Sequence, residues 1–241
     1  MAEAELVRLA REGAIGIVTV NNPPVNALSP GVPEGIIARL REAEADPAIR
    51  AIVLIGAGRS FIAGADIRQF GKGRPRLPLG QRVYDVLDAG TKPVVAAIHG
   101  FALGGGLEVA MACHYRIGVP TAKVGLPEVL IGILPGGGGT QRLPRLIGAM
   151  QALPMLLQGS SIDPQKALAM KLVHKVVPAN DLLAEAKAFL KAKPDAVQPW
   201  DKKEFKIPGG GPYSPGGTQA FTMGTSMLRK ESYGNYPAQR Y

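Results

Sequence analysis

The stretch KPVVAAIHGFALGGGLEVAMACHYRIG, residues 92–118, decides the fold. It opens on a continuous apolar run, VVAAI, the pattern of a strand buried on both faces. It closes on YRIG, which reads as a second short strand. Between them LEVAMA reads as a buried helix, entered through three consecutive glycines at residues 104–106. Such a triplet weakens any helix or strand that contains it. Its use here is either a tight bend between buried elements or a close approach of backbone N–H groups to a ligand.

Outward from this stretch the same alternation continues. AIVLIGAG, residues 51–58, is another buried strand ended by glycine, and residues 79–89 read as the helix between the two strands. Strand, helix, strand, helix in this order predicts an α/β core with parallel pairing. Near the start, residues 6–9 and 14–20 read as a hairpin around Arg11-Glu12-Gly13. NNPPVNALSP then blocks regular structure. Ser29 is placed to cap a helix running to about Ala45, with Ile36, Ile37, Leu40 and Ala43 on one face. Further on, a second glycine run occupies residues 136–139, and helices are expected over 140–147, 150–158, 164–170 and 181–191. Past residue 193 the composition changes. Prolines and glycines make up 13 of the last 48 residues, and the regular element expected there is a helix over 218–231.

The 241 residues suffice for one well-buried core, or a core plus an appendage. No run approaches the ~20 apolar residues of a membrane span, and residues 1–20 lack the order of a signal peptide. The single cysteine, Cys113, excludes an intrachain disulfide and suits a reducing compartment. A net charge of +9 asks for an anionic partner. With 5% aromatic residues and no basic-aromatic stripe, that partner is not expected to be nucleic acid. There is no P-loop, no G-x-S-x-G elbow and no dinucleotide-binding G-x-G-x-x-G after a strand. His99, His114 and His174 lack metal-ligand spacing, so no metal is expected. His99, His114 and Cys113 read as structural residues.

Two glutamates stand out. Glu108 lies in the first turn of an otherwise apolar helix, and Glu128 lies between Pro127 and Val129-Leu130-Ile131. Burying a carboxylate costs several kcal/mol unless it is hydrogen-bonded. Either one alone is accounted for as a helix N-terminal cap. Together, each beside a glycine-rich turn, they suggest a pocket where one carboxyl works as base and the other as acid. The glycines would expose amides to a developing oxyanion. A third stretch, SFIAGADIRQF, residues 60–70, follows a buried strand and offers a second amide donor.

These pieces resemble the crotonase superfamily of enoyl-CoA hydratases and isomerases. The resemblance is carried by NPPVNALS (22–29), FIAGADI (61–67), residues 92–118, VGLPEVLIGILPGGGGTQRLPRLIG (124–148) and SIDPQKALAMKLVHKVV (161–177). It implies a ββα spiral with helices packed around stacked sheets. It implies an oxyanion hole formed by the Ala65 and Gly105 N–H groups, with Glu108 as base toward water and Glu128 as acid toward C2. Val25, Ala27, Ala63, Asp66 and Ile67 would line the CoA path, largely through main chain, with Gly104 and Pro127 as further substrate-binding positions. CoA would enter as part of the acyl-CoA substrate, with no separate cofactor. Lys72, Arg74 and Arg76 are placed to meet its phosphates, unless they form a solvated loop.

The implied activity is hydration of trans-2-enoyl-CoA to (3S)-hydroxyacyl-CoA in fatty-acid β-oxidation, through an enolate of the thioester. Alternatives are Δ3-Δ2-enoyl-CoA isomerisation at the same site and a non-catalytic acyl-CoA- or RNA-binding module. Residues 1–192 would form the hydratase/isomerase domain. Residues 193–241 resemble the Pro/Gly-rich linker of multifunctional β-oxidation enzymes, which would place a 3-hydroxyacyl-CoA dehydrogenase domain beyond it. The family also implies trimer-type self-association. A bacterial cytoplasm is the expected location, with the peroxisome as the alternative.

Overall fold

Continuous apolar runs make the centre of the molecule. In the computed structural model, which describes residues 5–72, 82–192 and 194–232, strands β1 (Val7–Glu12) and β2 (Ile15–Val20) form the expected hairpin. Helix α1 (Val32–Ala45) leads to β3 (Ala51–Gly56), and α2 (Val83–Ala89) leads to β4 (Val94–Ile98). Next come β5 (Phe101–Leu103), α3 (Gly105–Ala112), β6 (Tyr115–Gly118) and β7 (Lys123–Gly125). Helices α4 (Gly139–Ile147) and α5 (Ala149–Leu157) precede β8 (Ser161–Ile162), α6 (Pro164–Ala169) and β9 (Lys175–Val176). Helices α7 (Leu182–Lys191) and α8 (Pro215–Ser232) complete the described elements.

The large sheet has the order β1-β2-β3-β4-β6-β9, antiparallel at β1-β2 and parallel from β2 onward. All five residues of β4 are buried, as a strand covered on both faces must be. A second sheet has the order β5-β7-β8. Isolated bridges extend its pattern, pairing Ile62 with Ala102 and Leu28 with Ala65. Each turn of the chain thus repeats one motif. A strand of the large sheet is followed by an extended segment at the small sheet, and then by a helix. β4, β5 and α3 form one such turn; β3, the segment around Ile62 and α2 form another.

Helix α3 is buried along its whole length, so it runs through the core rather than over it. Its entry explains the glycine triplet. A Cβ at Gly106 would lie 1.9 Å from the Ile62 carbonyl oxygen, and one at Gly105 would lie 3.1 Å from Leu28 Cδ1. Gly104 adopts φ 51°, open to glycine at little strain. At the far end of α3 the fully buried Arg116 of β6 donates to the carbonyls of Cys113 (2.8 Å), Ala110 (3.3 Å) and Leu172 (2.7 Å). A cation there complements the negative end of the helix. Burial draws the Arg116 guanidinium down to about 10.

Two local expectations need correction. Helix α1 is not capped by Ser29. Its N-cap is Gly31 at φ 89°, and Glu34 Oε2 accepts the Gly31 N–H at 2.9 Å. Ser29 Oγ instead donates to Asp66 Oδ2 at 3.1 Å, tying the Pro-rich loop to the segment after β3. The helix expected over 79–89 is seen from Val83, and residues 79–81 lie outside the described residues. In the region past residue 193, α8 packs on α5, with Gly224 seated against Leu153 and Leu157.

Gly106→Ala is expected to lower stability by about 1–3 kcal/mol, because its methyl must displace the Ile62 carbonyl. Urea denaturation with an unchanged m-value would show it.

Candidate active site

The entry of α3 opens on a cavity of about 500 Å³. Three parts of the chain meet there. Helix α3 brings Gly105 and Glu108, the turn after β7 brings Pro127 and Glu128, and the segment after β3 brings Ala63 and Ala65. The glutamates, separated by twenty positions in sequence, therefore face one space.

Their environments differ. Glu108 is 2% exposed, and its Oε1 accepts the N–H groups of Gly137 (2.7 Å) and Gly139 (2.8 Å). Gly139 is the first residue of α4, so the carboxylate caps α4 and not its own helix. That is the role of the second glycine run: it turns bare amides toward a buried charge. Burial raises the Glu108 carboxyl above its ordinary value, against the two amides and the charge of Arg142. Glu128, in the 3-10 turn Pro127–Ile131, is 8% exposed. Its Oε2 has no hydrogen-bond partner among the described residues. Burial first, and then the charge of Glu108, push it up to about 7.

The N–H groups of Ala65 and Gly105 donate to no acceptor among the described residues. Those of Leu103 and Gly104 are engaged by the carbonyls of Ile62 (3.3 Å) and Gly125 (2.9 Å). A Cβ on Gly105 would stand 3.7 Å from Ala65 N, so the two free amides border the same gap. One on Gly104 would stand 2.9 Å from Glu128 Oε1. Gly104 thus leaves the room that Glu128 occupies.

Among the other predicted positions, Ala63, Ile67, Gly104 and Pro127 line the cavity, with Ile67 and Phe70 at its exposed rim. Val25, Ala27 and Asp66 are not in its lining. The Val25 carbonyl accepts the Ala63 N–H at 3.1 Å, and the Ala27 carbonyl accepts from Asn22 Nδ2 at 2.8 Å. Asp66 accepts from Arg68 Nε at 2.8 Å, and this bond holds its carboxyl well below the usual range. Through these bonds Val25 and Asp66 shape the segment that presents Ala65, while the Ala27 bond lies within the Pro-rich loop. Lys72 is exposed, while Arg74 and Arg76 lie outside the described residues.

Cys113 is buried, its thiol pushed up to about 12 by that burial. His114 Nδ1 accepts the Val94 N–H at 3.1 Å. No group of acidic, histidine or cysteine side chains that could hold a metal ion occurs among the described residues. No helix there is long and apolar enough to cross a membrane.

Two residues at the site escaped the sequence reading. Tyr84 of α2 lines the cavity, but nothing in its helix separates it from a packing aromatic. Arg142 of α4 donates to the Gly137 carbonyl at 3.1 Å and pairs with Asp88, bracing the turn that serves Glu108. TQRLPRLIG reads as an ordinary amphipathic helix, so its sequence carries no sign of that contact.

Comparison with known proteins gives the family. The profile of the enoyl-CoA hydratase/isomerase family matches residues 10–198. The chain is 46% identical over 195 residues to the peroxisomal bifunctional enzyme of Danio rerio, covering 80% of this chain and 26% of that one. It thus spans about a quarter of that relative's length. It is 44% identical to a probable enoyl-CoA hydratase of Bacillus subtilis (strain 168), covering 78% and 73%. The crystal structure of an enoyl-CoA hydratase from Polaromonas sp. JS666 superposes with a TM-score of 0.70 at 31% identity, covering 77% of this chain and 76% of that one. The architecture is the crotonase fold that the resemblance implied, and the chain belongs to the enoyl-CoA hydratase/isomerase family.

Proposed function

We propose that this chain is an enoyl-CoA hydratase of fatty-acid β-oxidation, adding water across trans-2-enoyl-CoA to give (3S)-hydroxyacyl-CoA. The observation that carries the proposal is the convergence of two unlike carboxyls and two unengaged amides on one cavity. The thioester oxygen is received by the Ala65 and Gly105 N–H groups, at the positive end of α3. One donor in such a hole is typically worth about 3–4 kcal/mol of barrier. Those amides stabilise the enolate formed when water adds to C3.

The two carboxyls divide the proton work because their surroundings differ. Two amides favour the ionised form of Glu108 against its burial, and it takes the proton from water. Glu128, lacking such donors on Oε2 and facing a negative neighbour, keeps its proton longer and delivers it to C2. The pair starts the reaction with one negative charge between them. A specific feature favours Δ3-Δ2 isomerisation as a second activity. Glu128, near neutrality in its proton affinity, can move a proton between two carbons without an added water.

Loss of ultraviolet absorbance on hydration of crotonyl-CoA tests the proposal directly. Glu108→Gln preserves an acceptor for the Gly137 and Gly139 amides, so the fold should survive. Hydration should fall by about 100-fold or more, and isomerisation of a 3-enoyl-CoA should fall less. Equal loss of both would contradict the division of roles.

A pH series tests Glu128. Its proton must be present for hydration, so kcat/KM should decline as pH rises through about 7. The same group affects stability. Between its ordinary value of 4.5 and about 7 the folded chain holds a proton that the unfolded chain has released. Stability therefore falls as pH rises across that interval. Glu128→Gln should melt above the wild type at pH ~8 and level with it at pH ~4.

A further inference from the structure

Tyr84 projects from α2 with its ring packed on the core and its side chain lining the cavity. Two glycine positions locate its hydroxyl. A Cβ at Gly137 would lie 2.4 Å from Tyr84 Oη and 2.7 Å from Glu108 Oε2. A Cβ at Gly105 would lie 3.8 Å from the same hydroxyl and 3.7 Å from Ala65 N. The hydroxyl therefore stands between the Glu108 carboxylate and the free amides, and one water can bridge it to Glu108 Oε2. No hydrogen bond engages it among the described residues. Glu108 Oε1 is taken up by two amides, which leaves Oε2 to face the cavity.

We propose that Tyr84 is a positioning residue for the reacting water, holding it jointly with Glu108. The inference rests on the hydratase reading above and adds a residue to it. A water bound only to a carboxylate can rotate about that one hydrogen bond. A second bond, from the phenol to one lone pair of the water, stops the rotation and leaves the other lone pair directed at C3. Burial and the Glu108 charge both push the phenol up, so it stays protonated and able to donate. The step balances without a proton from Tyr84. The water oxygen bonds to C3 and its proton passes to Glu108. The C2=C3 electron pair moves into the thioester enolate, which then takes the Glu128 proton at C2.

Tyr84→Phe removes the hydroxyl and keeps the ring. Two rates should be read on it: hydration of crotonyl-CoA, and deuterium exchange at C2 of butyryl-CoA in D₂O, which needs the enolate but no added water. The expected result is a kcat for hydration lower by about 5- to 20-fold, with KM and the exchange rate within about twofold of wild type. Retained exchange also shows that the site is folded. Unchanged hydration would overturn the inference. So would a parallel fall in both rates, since that marks a donor to the thioester oxygen or a packing residue. A wild-type chain that exchanges butyryl-CoA protons but hydrates no crotonyl-CoA would overturn the hydratase reading itself, and this inference with it.

Discussion

The structure depends on a close approach at the start of α3 that leaves no room for a side chain on residues 104–106. Residues 104–106 enter α3 while pressed against three different neighbours: Glu128 at Gly104, Leu28 at Gly105 and the Ile62 carbonyl at Gly106. Glycine in such a run loses much conformational freedom on folding, and the return is position. The helix starts inside the core, directly beside the segment that carries Ala65. The Gly105 N–H, unpaired as the first amides of any helix are, borders a cavity instead of bulk water. The glutamate in its first turn is carried into the same space.

Both ends of α3 are then matched by charge. At the C-terminal end the Arg116 guanidinium satisfies two carbonyls of the helix end and one from Leu172. At the N-terminal end Glu108 reaches across to α4, where Gly137 and Gly139 supply amides. A buried carboxylate that accepts two amides is stabilised in its charged form, whereas one with an orphaned oxygen is not. The two glycine runs thus do different chemistry. The first clears space and frees an amide for ligand. The second consumes its amides in holding a charge, and in doing so makes the two glutamates unequal.

Much of this was legible in the residues. β3 and β4 announce themselves as continuous apolar runs, and Glu108 and Glu128 as carboxylates without polar company. The elements that escaped are those too short to carry a period. β5 and β7 have three residues each, and β8 and β9 have two. They exist because the chain runs alongside a partner, not because of local propensity. Ser29 has the chemistry of a cap, yet Asp66, distant in sequence, competes for it and wins. Arg116 reads as an ordinary polar residue in a short strand, and only the packing of α3 above it shows that it is fully buried. Tyr84 lines the cavity and Arg142 braces the Gly137 turn from helices whose patterns are otherwise ordinary, so these contacts exist only in three dimensions.

Asp66, Val25 and Ala27 show why main chain, rather than side chain, governs this cavity. Each matches a position expected along the CoA path; none lines this cavity, and Val25 and Asp66 fix the segment that carries Ala65. An amide donor can be aimed only by holding the peptide on both sides of it. Asp66 does so from the C-terminal side through Arg68 and Ser29, and Val25 does so from the other side through Ala63. A replacement at such a position changes the direction of an N–H group. The direction of the Ala65 N–H group therefore depends on residues outside the cavity lining. The residues that enter the cavity with polar side-chain atoms are Glu108, Glu128 and Tyr84.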